Sequence, residues 1–350
     1  MRVLIRPVLM LALLLAFAST AFGRSEFYGS NDRQADRQAL QSPEFPVCAA
    51  AHRVGQLVLG VNNNGTFGTG FSLSGGGDCF TAGAVPSCEY PKGSSSTYLF
   101  AGCFWIGAII GRDTVVSVGA DGWSSVRELF PFRRPMIKRS IIDEDDPEFA
   151  FAVSEEDYIS TYTDTYTAGV PPSWGYPHIP IRIAVQEASY AWSYAYAEDF
   201  VLFDYQVTSM NTRPIQNLYL GVYVDADVFA GNSNAGYSDD VTGFLEMIDR
   251  TYDKCVYRDT VNIAWLADND GDLTSPASVP HVTGTRIVRT PAETLQVSYN
   301  WWFSGAAVLD FGPHERPNVG RLQEPFRDLG TGGLGTPEGD RNKYYTMSNR

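Results

Sequence analysis

Short runs of β-branched and aromatic residues, separated by glycine, proline and asparagine, recur through most of the 350-residue sequence. Residues 104–123 (FWIGAIIGRDTVVSVGADGW) contain two such runs joined at Gly111-Arg112-Asp113, which predicts a hairpin. Residues 199–229 (DFVLFDYQVTSMNTRPIQNLYLGVYVDADVF) contain two more runs around a proline, and we predict that they form an antiparallel pair. Helical stretches are few, and no repeat of about 20 to 50 residues indicates a solenoid or propeller. The sequence therefore predicts an all-β fold, an antiparallel β-sandwich in one or two units.

Composition divides the chain into segments. Ser154 and Asp157 have the spacing of a helix capping box, so we predict a short helix in an otherwise irregular linker. The C-terminal segment is too rich in glycine and proline to form the interior of a regular sheet. The predicted segments are a signal peptide (1–23), a flexible leader (24–45), a first β-rich unit (46–135), the linker with its helix (136–180), a second β-sandwich unit (181–312) and a Gly/Pro-rich tail (313–350).

The N-terminus predicts export. Arg2 and Arg6 precede an apolar run from Val8 to Ala18, and Ala21 and Gly23 fit a signal-peptidase site. The apolar run is shorter than the roughly 20 residues that cross a bilayer, and no later segment is apolar enough to do so. We therefore expect a secreted, periplasmic or cell-surface protein without a transmembrane segment.

The balance of charge restricts the partners. The chain has 40 acidic residues against 26 lysines and arginines, which gives a formal net charge of −14. Binding to nucleic acid or to an anionic membrane requires a basic surface that releases counterions, and no such cluster is present. Other envelope proteins and glycans remain as candidate partners.

Five cysteines in an exported chain predict disulfide bonds. Cys79 and Cys88 enclose a segment whose Gly83 and Pro86 let the chain turn back, so that the two side chains can approach each other. We predict a Cys79–Cys88 bridge. The spacing leaves open how Cys48, Cys103 and Cys255 pair.

Catalytic motifs are absent or lack their structural context. The sequence has no HExxH and no CxxC motif. The GTGGLG segment at 330–335 fits a dinucleotide-binding pattern, but it lies in the Gly/Pro-rich tail and we interpret it as a loop. We predict no catalytic residues and no organic cofactor. Paired carboxylates of a glycoside hydrolase cannot be singled out in so acidic a chain.

Two tryptophans are candidates for stacking on sugar rings. Trp174 lies in SWGYPH, and Trp302 follows Trp301 in NWWF. Adjacent strand residues face opposite ways, so one of Trp301 and Trp302 is expected in the core and the other at the surface. Packing in the core is the alternative role for these rings.

Aspartates in the second β-rich half form a candidate calcium site. Calcium prefers six to eight oxygen ligands in adaptable geometry, which several carboxylates from strand ends and loops can supply. The spacing in DNDGD does not fit an EF-hand loop, and the alternative interpretation is a solvated turn. The candidate ligands are Asp225, Asp227, Asp239, Asp240, Asp268, Asp270 and Asp272.

Several segments together resemble a group of large, uncharacterised, secreted β-rich proteins of environmental bacteria. The segments are GVNNNGTFG (60–68), DCFTAGAVPSCEYPKGS (78–94), FWIGAIIGRDTVVSVGADGW (104–123), NIAWLADNDGD (262–272) and GGLGTPEGDRNKYYTMSN (332–349). The resemblance implies architecture and export but no activity. Members of the group often carry a C-terminal immunoglobulin-like or sorting module, which this sequence lacks, so a truncated or split product is expected.

These observations favour an exported, non-catalytic β-sandwich module, stabilised by calcium, as a structural or binding part of an extracellular or envelope protein. The alternative is a secreted carbohydrate-active protein, either a sugar-binding module or a glycoside hydrolase.

Overall fold

The structure is a computed structural model that describes most of the chain after residue 42. The described residues are 43, 45–70, 77–81, 83–120, 126–172, 177–212, 214–231, 240–268, 279–292, 294–302, 337 and 339–348. They belong to one compact unit spanning Ala39–Arg350. Within them the chain forms three antiparallel sheets and one α-helix, which confirms the predicted antiparallel all-β class. The predicted signal peptide lies outside the described residues.

The described part of the chain contains seventeen strands. In chain order they are β1 (Ala49–His52), β2 (Val58–Asn62), β3 (Thr66–Gly68), β4 (Cys88–Glu89), β5 (Ser96–Thr97), β6 (Ala101–Ile110), β7 (Asp113–Val118), β8 (Phe130–Pro131), β9 (Ile137–Arg139), β10 (Glu156–Thr163), β11 (Ile183–Ala191), β12 (Leu202–Ser209), β13 (Gln216–Asp225), β14 (Phe229–Ala230), β15 (Val241–Tyr252), β16 (Cys255–Ala267) and β17 (Thr283–Arg286). The helix is α1 (Gly339–Met347), and a 3₁₀ turn covers Phe149–Phe151.

The first sheet has nine strands in the order β13-β6-β3-β2-β4-β5-β14, with β1 added to β2 and β7 to β6. The second has the order β12-β11-β10-β8, with β9 added to β10. The third consists of β15, β16 and β17. Because β13 pairs with β6, strands from the predicted segments 46–135 and 181–312 share one sheet.

A hydrophobic core lies between the first two sheets. Phe104 and Ile106 on one face of β6 pack with Ile183 of β11. Side chains alternate along a strand, so Trp105 faces the other way and packs with Tyr344 of α1. The molecule is thus sandwich-like, with α1 on the outer face of the nine-stranded sheet.

The packing of α1 against the sheet depends on a glycine. A Cβ atom at Gly107 of β6 would lie 3.1 Å from the Tyr344 ring, so the missing side chain lets the helix approach the sheet closely. The Tyr344 hydroxyl donates a hydrogen bond to the Asn217 carbonyl oxygen at 3.0 Å, which ties α1 to β13 as well. Among the described residues, no helix has the length and apolar character needed to cross a membrane.

The short helix predicted from Ser154 and Asp157 is wrong, because this segment leads into strand β10. The capping contact itself forms: the Asp157 carboxylate accepts hydrogen bonds from the backbone amides of Val153 and Ser154, at 2.7 and 2.8 Å. It closes a turn instead of starting a helix. The residues that follow, ISTYT, are mostly β-branched or aromatic, and the eight-residue pairing with β11 outweighs the local preference. The α-helix lies instead in the predicted C-terminal tail.

The hairpin at Gly111 is confirmed, since β6 pairs with β7 and Gly111 has a φ of +67°. The antiparallel pair predicted within 199–229 is wrong. Both strands exist, but β12 pairs with β11 in the second sheet and β13 with β6 in the first. The connection between β12 and β13 is longer than a two-residue hairpin turn, and its length lets the chain cross from one sheet to the other.

Candidate functional site

The structure brings two of the predicted calcium ligands together. Asp225 ends β13, and Asp227 follows two residues later. Burial raises the pKa of both carboxyl groups to about 6, and for Asp227 the neighbouring charge of Asp225 contributes to the rise. The two carboxylates are therefore close enough to repel each other when both are ionised.

The other described candidates bind the backbone. Asp240 accepts a hydrogen bond from the Val228 amide at 2.9 Å, and Asp268 accepts one from the Val279 amide at 3.0 Å. Within the described parts of the chain, no three His, Cys, Asp or Glu side chains are arranged to hold a metal ion. Three predicted ligands, Asp239, Asp270 and Asp272, lie outside the described residues.

The predicted Cys79–Cys88 bridge is wrong: the disulfide joins Cys48 to Cys79, whose Cα atoms are 5.2 Å apart. The Cys79 amide donates a hydrogen bond to the Ala49 carbonyl oxygen at 2.7 Å, which holds Cys79 beside Cys48. Cys88 begins β4 opposite Leu59, and its thiol is buried in the core. Burial raises the pKa of the Cys88 thiol to about 12, so it is unreactive.

The ring of Trp302 contributes to packing. It stacks on Tyr223 at a centroid distance of 5.4 Å and lies 6.0 Å from the Trp105 ring, on the α1 side of the nine-stranded sheet. Trp301 is buried as well, and neither residue lies in a strand, so the predicted division into one core and one surface tryptophan is wrong. Trp174 lies outside the described residues.

Three side chains inside the sandwich have the chemistry of a catalytic triad. His52 Nε2 lies 2.8 Å from Ser189 Oγ, and His52 Nδ1 lies 3.8 Å from a carboxylate oxygen of Glu156. The second distance is too long for a hydrogen bond. His52 is 0% and Ser189 1% exposed, and burial lowers the pKa of His52 to about 3. A substrate cannot reach this serine, and so weak a base activates it poorly.

A second buried polar group serves the backbone. Asp164 is fully buried and accepts hydrogen bonds from the Ser117 hydroxyl at 2.7 Å and from the Ile183 amide at 2.9 Å. It therefore links β7 to β11 across the two sheets. The Asp164 carboxylate thus provides hydrogen-bond partners for buried donor groups, which is a structural role.

A group of large aromatic side chains, several of them exposed, lies at the end of β11 and in the turn that leads to β12. We call it the aromatic row; its members are Tyr190, Trp192, Tyr194, Tyr196 and Phe200. Tyr194, Tyr196 and Phe200 are 44%, 83% and 46% exposed. The Tyr194 and Tyr196 rings stack at 5.5 Å with an interplanar angle of 14°, and the Tyr190 and Trp192 rings at 6.3 Å with 28°.

Sequence reasoning missed this row. The segment SYAWSYAYAEDF alternates aromatic with small or polar residues, although residues 195–199 form a turn and not an extended strand. That alternation was the available signal. It was obscured because 19 tyrosines and 7 tryptophans in one chain make aromatic clusters common.

Comparison with protein-family models, curated proteins and solved structures finds no significant match. The function must therefore be argued from the residues themselves.

Proposed function

We propose that this chain is an exported, non-catalytic β-sandwich module that serves as a structural or binding part of an extracellular or envelope protein. The observation that carries the proposal is the sealing of the Ser189–His52 pair, whose side chains lie 2.8 Å apart and are closed off from solvent. A nucleophile must touch its substrate, and this one is enclosed by strands.

A substrate panel tests the non-catalytic part. Chromogenic esters and glycosides, with a labelled peptide, are incubated with the full chain at pH 5 to 8. We expect no turnover above the rate in buffer. Turnover of any member, proportional to protein concentration, would overturn the proposal.

Export is supported by the N-terminal sequence and by the Cys48–Cys79 disulfide, because disulfides persist in oxidising compartments. The full-length chain is produced in a bacterial host that has a periplasm, and the N-terminus of the product is sequenced. We expect a mature chain that begins near Arg24. An unprocessed product retained in the cytosol would contradict export.

Calcium stabilisation is part of the same proposal. Asp225, Asp227 and Asp268 are the proposed core ligands, with Asp239, Asp240, Asp270 or Asp272 completing the shell. Support comes from the raised pKa of Asp225 and Asp227: burial disfavours the charged form of both, the charge of Asp225 adds to the effect at Asp227, and a bound cation would relieve both. Calcium would supply charge neutralisation and cross-link loops; it has no part in a reaction.

Thermal unfolding with 1 mM calcium, against a chelator, tests this part. A dissociation constant of about 10⁻⁴ M gives roughly 1.4 kcal/mol of stabilisation and a melting shift of about 2–5 °C. The shift should disappear in Asp227→Asn and Asp268→Asn. Identical melting in both conditions, with no calcium binding by calorimetry, would show that DNDGD is only a solvated turn.

A further inference from the structure

The backbone that carries the aromatic row is anchored at two points, although Tyr194, Tyr196 and Phe200 are exposed. The side chain of Glu155 accepts hydrogen bonds from the Ser193 amide and hydroxyl, at 3.2 and 3.0 Å. On the far side of the turn, the Glu198 carbonyl oxygen accepts hydrogen bonds from the backbone amides of Gln56 and Leu57. A Cβ atom at Gly55 would lie 2.4 Å from that oxygen, so only glycine permits this approach. A surface fixed before binding loses little entropy when a ligand arrives.

The rings provide flat apolar faces in two stacked pairs. An aromatic face carries negative charge density and attracts groups with a positive edge, such as the C–H bonds of a sugar ring. Tyr196 is 83% exposed, so this large ring does not contribute the free energy of folding that its burial would give. The Trp192 ring also lies 6.3 Å from the Phe200 ring, so three neighbouring rings at this end suit a ligand with more than one sugar ring.

Polar side chains border the row. Burial raises the pKa of the Tyr190 hydroxyl, the carboxylates of Asp157 and Asp204 raise it further, and Arg139 lowers it, so these three charged groups lie near that end. Asp204 on β12 is exposed. It lies opposite Ala188 of β11, two residues before Tyr190 on that strand. At the other end Asp199 is exposed and hydrogen-bonds to Tyr90. Carboxylates and a guanidinium group are strong partners for hydroxyl groups.

We propose that the aromatic row binds a neutral oligosaccharide, whose sugar rings stack on the tyrosine and tryptophan faces and whose hydroxyls bond to Asp204 and Asp199. The acidic border and the net charge of −14 disfavour uronates, sulfated glycans and nucleic acids. This inference rests on the proposed function, because it names the ligand class of a binding module.

The test uses the full chain on an array of neutral oligosaccharides, followed by calorimetric titration of the best ligand. We expect binding to weaken by about tenfold or more in Tyr196→Ala and Trp192→Ala. Tyr196→Phe, which keeps the ring, should retain most of the affinity. Tyr252→Ala is the matched control, since Tyr252 is 76% exposed on the β15–β16 hairpin and lies outside the row. It should bind as the wild type does.

Four outcomes separate the proposals. Binding that depends on Tyr196 and Trp192, without shortening of the oligosaccharide, supports both the inference and the non-catalytic module. Binding followed by cleavage supports the glycan site but overturns the non-catalytic proposal. Absence of neutral-glycan binding overturns the inference and leaves the non-catalytic module standing. A proline-rich peptide, the other ligand that aromatic surfaces accept, is titrated in parallel, and binding of this peptide without binding of glycans also overturns the inference.

Discussion

Glu187 should make the stability of this protein fall as pH rises. Its carboxyl group lies on β11 between the sheets, 4% exposed, and accepts a hydrogen bond from the Tyr162 hydroxyl at 2.8 Å. Burial raises the pKa of Glu187 from 4.5 to about 8, although the Tyr162 hydrogen bond opposes the rise. The folded protein therefore keeps a proton that the unfolded chain loses above pH 4.5.

The sign and size of this change in the free energy of unfolding follow from proton linkage. A carboxyl group whose pKa is raised by folding contributes stability below its unfolded pKa, and this contribution is lost as pH rises through the folded pKa. Between pH 5 and pH 8 the free energy of unfolding should fall by about 3–4 kcal/mol on account of Glu187 alone. In a chain of this length that is a melting shift of about 5 °C.

The assay compares wild type with Glu187→Gln by thermal unfolding at pH 5, 6, 7 and 8. Glutamine retains a hydrogen-bond acceptor for Tyr162 but does not ionise. The two proteins should therefore differ mainly in how their melting temperature changes with pH. Other titrating groups, including Asp225 and Asp227, act alike in both proteins and cancel. Glu144→Gln, at an exposed carboxylate, controls for the removal of one charge. A wild type to Glu187→Gln difference that stays constant from pH 5 to pH 8 would refute the reasoning.

Two further predictions concern the first sheet and its disulfide. Cys48→Ser should lower the free energy of unfolding by about 3–4 kcal/mol, because the bridge spans 31 residues, whereas Cys255→Ser at an exposed thiol should have little effect. Non-reducing peptide mapping that found Cys79 linked to Cys88 would contradict the assignment. Gly102→Ala should destabilise by about 1–3 kcal/mol, since its Cβ atom would lie 2.1 Å from the Phe67 ring; unchanged thermal unfolding would contradict that contact.

Local sequence predicted the strands better than their partners. The alternation and turn residues around Gly111 were sufficient for the β6–β7 hairpin, because a two-residue turn determines which strands pair. The strands β12 and β13 were also recognised, but β12 pairs with the preceding strand β11 and β13 with the distant strand β6, and not with each other. The choice of partner strand depends on which faces the two sheets bury, and this cannot be predicted from the local sequence pattern.

The wrong predictions have one physical cause: contacts between residues distant in sequence outweighed the local pattern. Ser154 and Asp157 have the same spacing at a helix start and at the turn before β10, so the pattern alone cannot separate the two. The segment between Cys79 and Cys88 permits a turn, but tertiary pairing carries Cys88 into the core and brings Cys48 to Cys79 instead. The anchoring of the aromatic row by Glu155 and Gly55 likewise depends on residues distant in sequence.

The most direct test of the non-catalytic proposal is the Ser189→Ala variant, measured for both turnover and stability. We expect neither protein to turn over any member of the substrate panel. We expect Ser189→Ala to lower the free energy of unfolding by about 1–3 kcal/mol, because His52 Nε2 loses its partner in a site closed to water. Ser209→Ala, at an exposed serine of β12, serves as the control. Hydrolysis by the wild type that disappears in Ser189→Ala, with identical unfolding of the two proteins, would contradict the account and show that this serine reacts.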